Sequence, residues 1–240
     1  MLLPKSKGRG KEMNTNKTTA RIVGALFLIA MVTSLVGGIW LESITGAAGY
    51  LGEISSQETQ VLLGVLLELI NCIVVVGIAA ALFPLMKKHS GALAAGYLGT
   101  RVVEAVVLSV AAISPLLLVT LGQEYLAAGA PDAAFFQTAG ALVMAARGHL
   151  ASLLTPIVFS LAALLLYYFL YRSRLVPRFI SVWGFIAVVS LFTWNMVEAF
   201  GMSISAGMVF ALPMILNEIF LGIWLLAKGF DAPAVSPESA

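Results

Sequence analysis

The residues of this chain that could do chemistry are ionisable and amide side chains placed inside long apolar segments. They occur in three pairs: Glu68 and Asn71, Arg101 and Glu104, and Asn217 and Glu218. Two of these pairs have i,i+3 spacing, which places both side chains on one face of a helix. Such side chains are costly in a bilayer, so they face the interior of a helix bundle, where they form ion pairs, carry protons or bind a solute.

The composition identifies the bilayer as the solvent of this chain. Hydrophobic residues make up 60% of its 240 residues and charged residues only 11%, with a mean hydropathy of +0.98. Soluble domains carry about 25% charged residues, so this chain has too little polar surface to cover a water-facing globule. We therefore expect the lipid bilayer as a partner and no nucleic acid.

The apolar segments predict an all-α, six-span transmembrane helix bundle, folded as a single membrane domain over residues 19–230. At a rise of about 1.5 Å per residue, about 20 residues cross the hydrocarbon core. The six spans are predicted near residues 22–41, 59–86, 91–121, 148–171, 179–200 and 206–227. Ser55 and Glu58 have the spacing of a capping box at the start of the second span.

Both ends of the chain are predicted to be disordered tails. Residues 1–18 are polar and basic and lack apolar periodicity, and we expect residues 1–12 to be an extension before a natural start at Met13. Residues 231–240 contain two prolines and two serines.

The distribution of basic residues predicts that both termini are cytoplasmic. Lysine and arginine occur in the N-terminal tail and in the turns at residues 87–88, 172–178 and 228. The loops expected on the other side carry acidic residues instead: Glu42, Glu53, Glu58, Glu124 and Asp132. Because cytoplasmic loops are enriched in basic residues, the first set of turns is predicted to face the cytoplasm.

Most of the polar side chains lie at a similar depth along the predicted spans. They are therefore predicted to form one mid-membrane cluster, which is a candidate ligand or proton site. The three pairs lie about 13–20 Å from an end of their spans, near the midplane of a core about 30 Å thick. The predicted cluster comprises Glu68, Asn71, Tyr97, Arg101, Glu104, Asn217 and Glu218. Polar residues predicted nearer the outer side are Arg147, His149, Asn195 and Glu198. In this arrangement Arg101 is the one cation at mid-depth, so the surplus carboxylates need protons, water or a mobile cation.

Three functions are compatible with such a cluster. The first is a structural clasp, in which an ion-pair network fixes helix register in an accessory or scaffold protein. The second is a transporter-like small-solute or proton-coupled site that opens to the outer side. The third is a membrane-embedded enzyme, but the sequence has no His-Glu-x-x-His, Gly-x-Ser-x-Gly or phosphate-loop motif.

We therefore assign no catalytic residue, no cofactor and no metal site. His149 beside Glu198 would come closest to a metal site or a general base, although a single interfacial histidine is usually just solvated. Pro115, Pro156 and Pro213 lie inside predicted spans. They are expected to kink their helices and free backbone carbonyls.

Four stretches of the sequence resemble one bacterial family. They are residues 16–24 (NKTTARIVG), the Arg101-x-x-Glu104 motif, residues 171–180 (YRSRLVPRFI) and residues 218–230, with Glu218, Gly222, Trp224 and the ending Lys228-Gly229-Phe230. The family is known as domain of unknown function forty-three eighty-six, and the resemblance covers residues 14–230. It implies a polytopic protein of the bacterial plasma membrane and supplies no activity, ligand or site residue. A homo-oligomer and an accessory membrane partner both stay open.

Overall fold

The computed structural model describes residues 6–46, 49–128, 133–202 and 208–231, and all regular structure within these ranges is helical. The α-helices are α1 (Ser6–Thr45), α2 (Tyr50–Glu53), α3 (Glu58–His89), α4 (Gly91–Ala128), α5 (Ala133–His149), α6 (Thr155–Ser173), α7 (Arg178–Ala199) and α8 (Met208–Ala227). A 3-10 turn, Ile54–Gln57, joins α2 to α3, and a π-helical turn, Leu150–Leu154, joins α5 to α6.

Six helical segments are long and apolar enough to cross a membrane. They are Asn16–Thr45, Tyr50–His89, Gly91–Ala128, Ala133–Ser173, Arg178–Ala199 and Val209–Ala227. The predicted all-α, six-span architecture is therefore confirmed. The cytoplasmic position of the termini stays a prediction.

The helices begin and end differently from the prediction in three places. Helix α1 starts at Ser6, so most of the tail predicted to be disordered is helical; residues 1–5 and 232–240 lie outside the described residues. Helix α4 continues to Ala128, because a single glycine such as Gly122 costs a helix interior only about 1 kcal/mol and Pro131 comes later in the sequence. The predicted capping box is wrong: Ser55 lies inside the 3-10 turn, and Gln57 occupies the N-cap of α3 without a side-chain hydrogen bond.

The six spanning segments form a closed ring in chain order. Each packs against its neighbours in sequence (α1 on α3, α3 on α4, α4 on α6, α6 on α7, α7 on α8), and α8 packs back on α1. The ring closes tightly because two glycines meet there: a Cβ at Gly24 would lie 2.7 Å from the carbonyl oxygen of Gly222. A ring of this kind encloses a centre that every spanning segment can reach.

The two ends of the bundle differ in charge and in packing. We call one the basic end, where Lys87, Lys88, Arg172, Arg174, Arg178 and Lys228 lie, and the other the acidic end, where Glu42, Glu53, Glu58 and Glu124 lie. The half towards the basic end holds a continuous core drawn from all the spanning segments, including Tyr97, Tyr167, Leu170, Ile180 and Leu221. The half towards the acidic end has a smaller apolar cluster, confined to α1, α3, α4 and the turn before α3.

Candidate functional site

A cavity of about 300 Å³ lies in the centre of the ring and is lined by all six spanning segments. In α6, α7 and α8 the lining residues come from the part of the helix nearer the acidic end. The walls are mainly apolar and include the rings of Phe27, Phe159 and Trp194. The polar lining residues are Ser34, Asn71, Arg101, Glu104, Thr155, Asn195 and Glu218.

Arg101 and Glu104 form a buried ion pair in the wall contributed by α4. The Nη1 atom of Arg101 donates to both carboxylate oxygens of Glu104, at 3.0 and 2.8 Å, and its Nε donates to the Tyr97 hydroxyl at 3.4 Å. The guanidinium also lies over the rings of Tyr97 and Phe159, with Cζ 5.6 and 5.5 Å from their centroids. The i,i+3 spacing lets one helix supply both charges, and the two rings fix the guanidinium plane.

Glu218 faces the same cavity from α8 and is more exposed to it. Arg101 is 2% exposed and Glu104 3%, whereas Glu218 is of intermediate exposure. Among the described residues, none forms an ion pair or a hydrogen bond with the Glu218 carboxylate. The carboxylate that a molecule in the cavity would meet is therefore Glu218.

Two amides border the same space. Asn71 Nδ2 donates to the carbonyl oxygen of Ala30 at 2.9 Å, and Asn195 Nδ2 donates to that of Leu191 at 2.8 Å. Within the described chain their side-chain oxygens accept no hydrogen bond, and Thr155 Oγ1 and Trp194 Nε1 have no partner either. The wall thus offers hydrogen-bonding groups that the protein itself leaves unsatisfied.

Asn217 does not line the cavity, although the sequence predicts it in the cluster. It is fully buried, its Oδ1 accepts from the Tyr167 hydroxyl at 2.7 Å, and its Nδ2 donates to the carbonyl oxygen of Ile180 at 3.1 Å. Adjacent helical residues point about 100° apart, so Asn217 ties α8 to α6 and α7 while Glu218 turns into the cavity. Asn217 is a packing residue in the half towards the basic end.

Glu68 also leaves the predicted cluster, because it pairs with Arg147. Both terminal nitrogens of Arg147 donate to the Glu68 carboxylate, and Nη1 donates in addition to the carbonyl oxygen of Ala111 at 2.7 Å. That carbonyl would normally accept from the N–H of the residue four positions on, which is Pro115 and has none. Arg147 thus satisfies both a carboxylate and the carbonyl that the proline frees.

The helix that carries Arg147 continues through the π-helical turn into the fourth predicted span. The prediction starts the fourth span at residue 148, which places Arg147 at its outer end. In the structure one apolar segment runs from Ala133 to Ser173, with the Thr155 N–H bonded to the carbonyl oxygen of Leu150 inside it. Arg147 therefore lies about 21 Å along this segment, at the level of Glu68, with which it pairs, and its depth in the bilayer stays a prediction.

Two residues predicted near the outer side, His149 and Glu198, form no hydrogen bond or ion pair with each other. His149 is exposed and Glu198 partly exposed, and neither lines the cavity. No group of three or more histidine, cysteine, aspartate or glutamate side chains in the described residues could hold a metal ion. From the predicted sets, the central cavity brings together Asn71, Arg101, Glu104, Asn195 and Glu218.

The aromatic part of this site is not predicted by the sequence. Phe159 and Trp194 form its walls, yet each lies in an apolar run where no neighbour distinguishes it. Tyr167 sits beside two exposed tyrosines, Tyr168 and Tyr171, and resembles an interfacial aromatic, but it is buried on Asn217. A buried asparagine needs a hydrogen-bond donor and an acceptor. This requirement is the signal from which a buried partner such as Tyr167 could have been predicted.

The sequence profile of a protein family described as "Domain of unknown function (DUF4386)" matches residues 22–229. The chain belongs to this family. The match covers all six spanning segments and the whole cavity wall, and it confirms the resemblance noted from the sequence. Comparisons with curated proteins and with solved structures give no match.

Taken with the six spanning segments, membership of the DUF4386 family makes this chain a multi-pass membrane protein. The family description carries no activity, so function has to be argued from the cavity itself. Its geometry is that of a binding site within a helix bundle, which is one of the usual places for small-molecule pockets.

Proposed function

We propose that this protein is a transporter-like membrane protein that binds a small amphipathic solute in the central cavity. The observation that carries the proposal is that all six spanning segments line one space of about 300 Å³, with charged groups in an otherwise apolar wall. Ligand pockets are about 300–1,000 Å³ and combine apolar walls with a few polar groups. A packing defect in a helix bundle would be apolar throughout.

The polar groups favour a solute with one polar end. Arg101, Glu104 and Glu218 lie on facing helices, while Phe27, Phe159 and Trp194 provide apolar surface. A molecule with an aromatic or aliphatic body and a single polar group would satisfy both kinds of wall. The same arrangement also allows Glu218 to bind a proton. In this form of the proposal the protein is proton-coupled.

We place the protein in the bacterial plasma membrane with both termini cytoplasmic, and the cavity nearer the outer surface. The basic residues of the turns at 87–88, 172–178 and 228 support this orientation. The lining residues of α6, α7 and α8 lie nearer the acidic end, which would then face outwards.

The test is ligand-dependent stabilisation of the purified protein in lipid nanodiscs, with 2-phenylethanol as the probe. A ligand at 100 times its Kd adds about 2.7 kcal/mol to stability, so the melting temperature of the natural protein should rise. Ile215→Trp fills the cavity and should abolish the rise. Leu216→Trp changes the neighbouring, 47% exposed residue and should retain it. An equal rise in all three proteins would mean that the probe acts through the lipid, and the proposal would fail.

A second candidate is the structural clasp of an accessory protein. It is favoured by one observation: Arg101 and Glu104 are almost completely buried and paired with each other. On this alternative 2-phenylethanol stabilises none of the three proteins, whereas loss of Arg101 still destabilises the bundle.

A further inference from the structure

We infer that the solute is a cation, an organic ammonium whose charged group pairs with Glu218. The inference rests on the proposed function and narrows it to one class of ligand. It follows from the charges that face the cavity, from the exposure of each and from the kind of wall around them.

The charges facing the cavity sum to an excess of one carboxylate. Helix α4 contributes Arg101 and Glu104, and α8 contributes Glu218; the lining residues of α1, α3, α6 and α7 carry no charge. Arg101 and Glu104 neutralise each other through two contacts of 2.8 and 3.0 Å. Glu218 forms no ion pair with the described residues, because Arg101 is already paired with Glu104 and Arg147 with Glu68.

Glu218 is more accessible from the cavity than the Arg101–Glu104 ion pair is. Arg101 is 2% exposed, and the rings of Tyr97 and Phe159 cover its guanidinium. A ligand in the cavity meets the more exposed Glu218 before it meets Arg101. An anionic ligand would instead have to displace Glu104 from the guanidinium, and it would be repelled by two carboxylates.

The walls are also suited to a cation. Phe27, Phe159 and Trp194 line the space, and aromatic faces attract cations, tryptophan most strongly. The free side-chain oxygens of Asn71 and Asn195 can accept hydrogen bonds from an ammonium group. Carboxylate, aromatic faces and amide oxygens together form the set of groups that recognises a substituted amine.

Three probes that differ only in charge test this inference: 2-phenylethylammonium (cation), 2-phenylethanol (neutral) and phenylacetate (anion). Binding is measured by equilibrium dialysis against the protein in zwitterionic nanodiscs, with empty nanodiscs subtracted. We expect the cation to bind roughly tenfold more tightly than the alcohol, the gain expected from a close charge pair, and the anion to bind least. Glu218→Gln should remove the preference for the cation while the alcohol still binds.

Glu198→Gln provides the matched control, since it removes an acid on α7 that does not line the cavity, and it should leave the preference intact. Equal binding of cation and alcohol, or a preference that survives Glu218→Gln, overturns the inference while the proposed function stands. Tighter binding of phenylacetate overturns it as well and makes Arg101 the ligand-binding charge. Absence of binding by all three probes overturns both the inference and the proposed function.

Discussion

The two halves of this bundle are built from the same helices but differ in how densely those helices pack. Towards the basic end, large side chains such as Tyr97, Tyr167 and Phe169 are completely or almost completely buried in one continuous core. Towards the acidic end, the same helices separate around a cavity of about 300 Å³. In the first half Asn217 and Tyr167 hold helices together through hydrogen bonds, and in the second Glu218 faces the cavity without such a bond to the described residues.

The polar residues show the difference most clearly. Asn217 and Glu218 are neighbours in the sequence, yet Asn217 has a donor and an acceptor from two other helices, whereas Glu218 has no partner among the described residues. Evolution of a purely structural bundle would favour pairing or loss of such a carboxylate, because an unpaired charge in a bilayer is expensive. We therefore expect substitutions in the basic half to affect stability and substitutions at Glu218 to affect binding.

The largest effect is expected at Arg101, which lies where the two halves meet. Arg101→Ala leaves the buried Glu104 without its partner, and breaking a buried ion pair in this way costs about 3–5 kcal/mol. Replacement of both residues, as Arg101→Met with Glu104→Met, should restore most of the stability, since both charges are gone. Thermal unfolding in nanodiscs measures both variants. A double variant as unstable as Arg101→Ala would show that the pair is needed for folding in itself.

A smaller loss is expected at Gly184, within the packed half. A Cβ at this position would overlap the ring of Tyr167, which is buried and hydrogen-bonded to Asn217. Gly184→Ala should therefore destabilise the protein by about 1–3 kcal/mol, the usual cost of overpacking a core. Gly99→Ala is the control, since a Cβ there meets no atom within 4 Å, and alanine is the better helix former. Equal stability of the two variants would contradict the dense packing described for this half.

Loss of Arg147 should cost about 1–3 kcal/mol, the penalty for leaving a partly buried carboxylate and a carbonyl unpaired. Arg147→Ala leaves both Glu68 and the Ala111 carbonyl without a donor. Arg147→Lys should recover only part of the loss, because an ammonium cannot reproduce the planar, two-sided contact. Arg178→Ala, at an exposed arginine over Tyr171, should change the melting temperature much less. If the two alanine variants have the same melting temperature, the Glu68–Arg147 pair contributes no more to stability than a surface residue does.

The smallest effect on stability is expected at Glu218. Glu218→Gln removes a charge that forms no ion pair or hydrogen bond with the described residues, so the free energy of unfolding should change by less than about 0.5 kcal/mol. Its effect is expected on ligand binding instead. A strongly destabilised Glu218→Gln protein would show that this carboxylate has a structural partner, and would remove the contrast with Asn217.

The architecture and part of the site can be predicted from the amino-acid sequence. Six apolar segments predict six helices because the bilayer forces every backbone polar group to be satisfied within its own segment. Arg101 and Glu104 are predicted together because i,i+3 spacing on one helix needs no knowledge of the neighbours. Asn71 and Glu218 are predicted at a similar depth, since depth depends on the rise of one helix alone, and both line the central cavity.

What the sequence does not predict depends on contacts between helices. Arg147 is assigned to the outer boundary because no local signal marks the π-helical turn that continues its helix to α6. Its pairing with Glu68 also depends on the carbonyl that Pro115 frees on a third helix. Asn217 and Glu218 have equal depth, and only the rotation of α8 against α6 and α7 decides that one is packed and the other faces the cavity.

In the acidic half the ring of helices surrounds the central cavity, whereas in the basic half the same ring is filled by the continuous core. Cysteine accessibility tests this difference most directly, in a Cys72→Ala background that removes the one natural cysteine. Single variants Ile215→Cys (cavity wall), Leu216→Cys (outer face) and Leu221→Cys (packed half) all lie on α8. The reagent is a membrane-impermeant methanethiosulfonate that carries a trimethylammonium group, added to intact cells and to inside-out vesicles. We predict that Ile215→Cys alone reacts, and reacts in intact cells. An Ile215→Cys protein as unreactive as Leu221→Cys in both preparations would contradict the account.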